Sequence, residues 1–150
     1  MRNEVKEFIE KNISLIEKNS WEEIYEKARN DLEVNTGEFT ETMLTAGIHP
    51  EKYLTKLPKR FLSESNVEEF EIPDNIKSIS DYAFAYCKHL AIIIIRNPEI
   101  IFGDDVFWCC NTIDIQFAGT KKQWETIAKR KFSGIEYTCT CIDGTVKKSR

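Results

Sequence analysis

The sequence lacks any long apolar run. Its longest, Leu90–Ile95, is six residues, whereas a membrane-spanning helix needs about 18–20. The first residues, "MRNEVKEFIEKN", are charged and amphipathic, without the apolar block that follows the basic start of a secretory signal. We therefore predict no membrane segment and expect the chain to stay in the cytoplasm.

The residues that metal and catalytic sites use are scarce or wrongly spaced. There are two histidines, His49 and His89, and five cysteines. Neither Cys109–Cys110 nor the pair Cys139 and Cys141 has the C-x(2–4)-C spacing of a structural zinc site. In the cytoplasm, an odd number of cysteines indicates free thiols. The sequence thus predicts no metal site and no cofactor.

No set of residues supplies a nucleophile, a base and a charge stabiliser together. Adjacent carboxylates such as Asp104 and Asp105 rarely converge on one substrate atom. The segment "GTKKQW", residues 119–124, lacks the glycine and lysine spacing of a phosphate-binding loop. We therefore predict that the protein is not an enzyme.

A basic excess is also lacking. The chain carries 25 acidic and 21 basic residues, a net charge of −4, which argues against a nucleic-acid partner. Positive charge gathers near the C-terminus, in Lys121, Lys122, Lys129, Arg130, Lys131, Lys147, Lys148 and Arg150. A solvated helix face is the preferred interpretation, and a weak contact with nucleic acid or an acidic protein is the alternative.

The first sixty residues have a helical pattern. One apolar stripe at helical spacing contains Val5, Phe8, Ile9, Ile13 and Ile16. Ser20 and Glu23 have the spacing of a capping box at the start of a second helix. A third helix is predicted over residues 38–47, ended by Gly47. Pro50 then starts a short helical turn.

An internal repeat begins near residue 70. Residues 70–90 align with residues 93–113 at an offset of 23, a period within the range of about 20–29 residues of leucine-rich repeats. Eight pairs keep their residue character: Phe70/Ile93, Ile72/Ile95, Ile79/Phe102, Asp81/Asp104, Ala83/Val106, Phe84/Phe107, Cys87/Cys110 and Leu90/Ile113. Each unit is predicted to contain a short strand, a second extended stretch and a helical turn capped by Asp81 or Asp104.

The segment "IPDNIKSISDYAFAYCKHL", residues 72–90, closely resembles the BspA-type leucine-rich repeat. The second copy departs from the pattern at Arg96, Glu99 and Val106. Residues 39–62 resemble the helical leader of small repeat proteins often carried by phages and prophages, and the segment from Phe117 resembles the one that closes such arrays.

The resemblance implies an α+β fold in three parts. A helical cap at residues 1–62 precedes a solenoid of two full repeats, and a closing segment completes residues 63–150. Because a lone repeat cannot bury both faces, we expect the cap and the repeats to form one cooperative unit.

The repeat register also orients the isoleucine run. It predicts that Leu90, Ile93 and Ile95 point inward and that Ile94 points outward. The neighbours of Ile94 should be Glu71 on one strand and Gln116 or Asp114 on the next. Ile94 is then either an ordinary exposed strand residue, the centre of a partner-binding patch, or part of a homodimer contact. The predicted partner-binding residues are Glu71, Ile94, Arg96, Trp108 and Gln116.

The resemblance implies protein binding as the function. We predict a non-enzymatic interaction module, an accessory protein of a phage or mobile element that acts in the bacterial host cytoplasm. Its partner would be a bacterial protein, and inhibition of a host defence protein is the most concrete version. The alternatives are a self-associating structural component or minor virion protein, and the weak nucleic-acid contact; a monomer and a homo-oligomer both remain open.

Overall fold

The computed structural model describes residues 3–18 and 20–149. Its N-terminal part, here the leader, is helical. The helices are α1 (Asn3–Lys11), α2 (Ile13–Glu17), α3 (Trp21–Leu32) and α4 (Thr36–Thr45), followed by a 3-10 turn at Pro50–Lys52. The predicted stop at Gly47 is confirmed, since this residue has φ +81° just after α4, and so is the short turn that starts at Pro50.

The predicted first stripe is only partly buried. Val5, Phe8 and Ile9 are buried, but Ile13 is 47% exposed. The chain breaks between α1 and α2 at Asn12, whose side-chain amide donates to the Phe8 carbonyl at 2.8 Å. The backbone N–H of Asn12 also donates to the Phe8 carbonyl, at 3.1 Å. The predicted stripe is therefore divided between two helices, α1 and α2.

The predicted capping box at Ser20 is wrong. Ser20 has φ −91° and ψ 57°, and its side chain makes no capping hydrogen bond; a cap of this kind needs an extended residue. A complete capping box forms instead at Thr120 and Gln123, where Thr120 has ψ 163°.

A turn of chain, here called a coil, repeats through the remainder of the protein. Its strands are β1 (Lys56–Leu57), β2 (Glu69–Ile72), β3 (Ser78–Ile79), β4 (Ile92–Ile95), β5 (Ile101–Phe102), β6 (Ile113–Phe117), β7 (Tyr137–Cys141) and β8 (Gly144–Lys148). They form two sheets, one in the order β1-β3-β5 and one in the order β2-β4-β6-β7-β8. All pairings are parallel except β7 with β8. Helix α5 (Lys121–Ala128) lies between β6 and β7.

The predicted offset of 23 is confirmed as the strand register. Phe70 pairs with Ile93 and Ile72 with Ile95, while Ile79 pairs with Phe102. The stacked coils therefore place equivalent residues directly above one another.

The predicted count of two repeats is too low, because the solenoid has about four turns. A first, partial coil begins at β1. The N–H of Leu62 donates to the Ala83 carbonyl at 2.7 Å, as the N–H of Phe84 donates to the Val106 carbonyl at 2.8 Å. The last turn is formed by β6, α5 and β7.

The predicted helical turn after Asp81 is also wrong. Residues 81–86 form consecutive turns without a helix, because Tyr82 and Tyr86 have left-handed φ values of 59° and 60°. The Asp81 carboxylate accepts instead from the N–H of Asp104, 2.8 Å away in the next coil. Asp81 thus links two coils rather than capping its own turn.

A series of contacting aromatic rings runs along the interior and is here called the aromatic spine: Phe61, Phe84, Phe107, Phe132 and Trp124. Successive ring centroids lie 6.3, 5.6, 5.5 and 5.6 Å apart. All five side chains are 4% exposed or less. The spine connects the first partial coil with the closing segment.

Phe84→Ala should lower the free energy of unfolding by about 3–5 kcal/mol, because it opens a cavity in the middle of the spine. Tyr86→Ala, two residues away at a 40% exposed side chain, is the control and should cost about 1 kcal/mol or less. Urea unfolding followed by circular dichroism measures both.

The same variant tests whether the leader and the solenoid are one cooperative unit. If they are, native-state hydrogen exchange of the most protected amides in α3 and β4 should report the same opening free energy, and Phe84→Ala should lower both equally. Unchanged protection of α3 in the variant would show that the leader unfolds independently.

Candidate functional site

The outward residues of the larger sheet form a continuous surface, here called the sheet face: Glu69, Glu71, Ile92, Ile94, Asp114, Gln116, Thr138 and Thr140. In β2, β4, β6 and β7 these residues alternate with buried ones, as side chains on a strand must. One row across the strands consists of Glu71, Ile94, Gln116 and Thr140. Both predicted neighbours of Ile94 are therefore confirmed, with Gln116 rather than Asp114 on the far side.

The isoleucine run divides as predicted. Ile93 and Ile95 are fully buried and Leu90 is 1% exposed, while Ile92 and Ile94 are half-buried on the sheet face. Ile94 thus lies between an acidic and an amide side chain.

Arg96 and Glu71 form an ion pair across this surface. The guanidinium Nη2 and Nε lie 2.6 and 2.9 Å from Oε1 of Glu71. Both side chains are about half exposed, so the pair contributes little stability. Its effect is to fix both charged groups beside Ile94.

A shallow groove of about 320 Å³ follows the C-terminal ends of β4, β6 and β7. Ile94, Ala118 and Ile142 supply apolar lining, and Arg96, Gln116 and Thr140 supply polar lining. Ile142 is 72% exposed, the highest value among the exposed large hydrophobic residues of the described chain. The sequence interpretation missed this residue. The Asp143–Gly144 pair that follows it could have indicated its position. This pair is typical of a hairpin turn and places Ile142 at the end of a strand.

Trp108 does not share this surface. It lies in the turn after β5, where its carbonyl accepts from the N–H of Tyr86 at 2.7 Å and its ring lies close to Gly134. Trp108 is 38% exposed. The structure therefore brings together four of the five predicted binding residues, Glu71, Ile94, Arg96 and Gln116, and separates the fifth.

Cys87 and Cys110 occupy structural positions between the coils. The Cys87 thiol donates to the Leu62 carbonyl, and the Cys110 thiol to the Phe84 carbonyl, each at 3.0 Å. Ser65 occupies the equivalent place in the first coil, 3.6 Å from the Cys87 sulfur. The hydrogen bond with Cys87, together with burial, raises the pKa of Cys110.

The Cys139 and Cys141 sulfurs lie 3.8 Å apart inside β7. Burial raises the pKa of both thiols. Within residues 3–18 and 20–149, no group of three or more histidine, cysteine, aspartate or glutamate side chains could hold a metal ion.

Two of the predicted basic residues have partners. The Lys131 ammonium lies 3.2 Å from the Asp104 carboxylate, and Lys148 donates to the Ile135 carbonyl at 2.9 Å. Arg150 lies outside the described residues.

Parallel coils that repeat every 22–23 residues around an apolar interior define a leucine-rich-repeat solenoid. Residues 8–138 match the family model described as "BspA type Leucine rich repeat region (6 copies)". The chain therefore belongs to the BspA-type leucine-rich repeat family. No curated protein and no solved structure matches it.

No helix in the described part of the chain is long and apolar enough to span a membrane.

We expect Cys109 to be the fast-reacting thiol of the native protein. It is half-buried, whereas the other four are buried, and raised pKa values keep Cys110, Cys139 and Cys141 in the unreactive neutral form at pH 8. Alkylation with iodoacetamide, followed by mass spectrometry, should label Cys109 first and the remaining thiols after unfolding.

The Cys109→Ser variant is the control and should show no fast phase. Labelling of Cys139 or Cys141 as fast as Cys109 would mean that the β7–β8 hairpin opens readily in the native protein.

Proposed function

We propose that this protein is a non-enzymatic protein-binding module and that its binding surface is the sheet face around Ile94. The observation that carries the proposal is the groove in which Ile94 and the highly exposed Ile142 are bordered by Arg96, Gln116 and Thr140. Leucine-rich repeats are generally an interaction fold.

The composition of this surface supports the proposal. Protein interfaces combine an apolar centre with a polar rim. Here Ile94, Ala118 and Ile142 provide the apolar centre, while the Glu71–Arg96 pair provides charged groups that are already held in place. Because the ion pair already orders both side chains, Glu71 and Arg96 would lose less conformational entropy when a partner binds.

The proposed partner is a bacterial protein. We infer further that the chain is an accessory protein of a phage or mobile element in the bacterial cytoplasm, and that it inhibits a host defence protein by occupying its surface. The support for this step is the resemblance of residues 39–62 to the leader of phage-borne repeat proteins.

Ile94→Glu should strongly weaken partner binding without unfolding the protein. The half-buried side chain lies on the outer face of β4, so a carboxylate there would place charge in the apolar centre of the interface beside Glu71. We expect affinity for the captured partner to fall about 30-fold or more, as at an interface hot spot. The measurement is affinity capture from bacterial lysate, followed by titration of the purified partner.

The matched control is Ile101→Glu. Ile101 is 68% exposed and lies on β5 of the smaller sheet, so the same substitution there should leave binding unchanged. Loss of binding in Ile101→Glu with retention in Ile94→Glu would place the interface on the smaller sheet and contradict the proposal.

A further inference from the structure

One edge of the larger sheet is open. Strand β2 is the first strand in its order and pairs with β4 alone among the described residues. The carbonyls of Glu68 and Ile72 accept from N–H groups of the β4 segment. Because backbone groups alternate in direction along a strand, the N–H and C=O groups of Glu69 and Glu71 point to the other edge.

A cleft of about 480 Å³ lies between this edge and the end of the leader. Leu44 and Glu51 line it from the leader, and Glu69, Phe70 and Glu71 line it from β2. The leader is tethered to the solenoid just before β2, where the N–H of Asn66 donates to the Glu41 carboxylate at 2.7 Å. The helices therefore lie beside the β2 edge but leave space along it.

Glu51 is a buried carboxylate with one unsatisfied oxygen. The residue is 5% exposed, and its Oε1 pairs with Nδ1 of His49 at 2.8 Å. Its Oε2 is buried and has no hydrogen-bond partner among the described residues. An unsatisfied buried acceptor destabilises a fold, and Glu51 lines the cleft. A donor or a positive charge that enters the cleft and reaches this carboxylate would therefore stabilise it.

The charge of the cleft indicates the same kind of occupant. Three carboxylates, Glu51, Glu69 and Glu71, face one ammonium, Lys52, in its lining. Arg96 offsets Glu71 and Lys52 offsets one further carboxylate, so the acidic groups of the cleft exceed its lysine and arginine by one.

The two outer edges of the sheet differ in how they are protected. Strand β8 carries Lys147 and Lys148, the kind of residue that blocks edge pairing. Strand β2 carries Glu69 and Glu71 and borders the open cleft beside the leader. A basic strand would meet repulsion at β8 and attraction at β2.

We propose that the cleft binds an extended, basic segment of a partner protein as an added strand on β2. Backbone groups of the segment pair with those of Glu69 and Glu71, and a lysine or arginine of the segment lies against Glu51 and Glu69. The inference rests on the proposed protein-binding function, since the segment belongs to the partner, but it uses the edge of the sheet rather than the sheet face.

The test uses a short acetylated peptide of alternating valine and lysine, with a peptide of alternating valine and glutamate as its control. Amide hydrogen exchange of the full chain is followed by NMR. The lysine peptide should slow exchange at Glu69 and Glu71 by about tenfold or more at saturation, and the glutamate peptide should have no effect.

Three variants separate the contribution of the backbone from that of the charge. Glu69→Pro removes one N–H at the open edge, where proline is tolerated, and should abolish peptide binding. Glu69→Gln keeps that N–H and should weaken binding several-fold. Glu51→Gln, which leaves β2 unaltered, should weaken binding by about tenfold, the effect of removing one charge-assisted contact.

The proposal is overturned if Glu69 and Glu71 gain no protection from the lysine peptide, or if both peptides protect them equally. Protection that rises with protein concentration in the absence of peptide, and disappears in Lys147→Glu, would instead show that β8 of a second copy occupies the edge.

Ile94→Glu should leave peptide binding unchanged. Capture of a partner that is lost in Ile94→Glu, together with a failed peptide titration, would therefore overturn this inference and keep the proposed function.

Discussion

The whole structure depends on the stacking of coils that cannot bury their own interiors. The first three coils each contribute one ring to the aromatic spine, and Phe84 contacts the rings on both sides, Phe61 at 6.3 Å and Phe107 at 5.6 Å. Phe132 and Trp124 close the spine at one end. Because the interior is completed only by neighbours, both ends of a stack this short need a cap, and we expect the helical leader and the α5–β7–β8 segment to act as those caps.

The spine and the register together decide which residues remain for function. Ile93 and Ile95 are buried in the interior. Because successive side chains of a strand point to opposite faces, Ile94 must then point outward although it is apolar. The same constraint holds the cysteines, since Cys87 and Cys110 donate to carbonyls of the preceding coil. These thiols are therefore parts of the stack, and the chemistry left to the protein lies on its outer surface.

The sequence predicted the repeated part of the fold well and the non-repeated parts poorly. The offset of 23 carries Phe70 to Ile93 and so identifies the inward set. The repeat pattern did not reveal the first coil, because this coil is offset from the second by 22 residues rather than 23 and has Ser65 where the next coils have Cys87 and Cys110. Local patterns failed where tertiary contacts compete with them: Ser20 has cap spacing but not cap dihedrals, and Asp81 satisfies an N–H of the next coil. The groove at Ile142 depends on strand order, which no spacing in the chain reveals.

Glu71 connects the two surfaces that the fold leaves available. Its side chain lies on the sheet face and is held by Arg96, while its backbone faces the open edge of β2 and the residue lines the cleft. The ion pair holds the Glu71 side chain toward Arg96 on the sheet face. Ile94 pairs directly with Glu71 of the edge strand β2. A partner bound over Ile94 would therefore lie one strand away from the open edge. Because the second contact would then form within one complex rather than between separate molecules, even a weak strand addition would add to the affinity of the face.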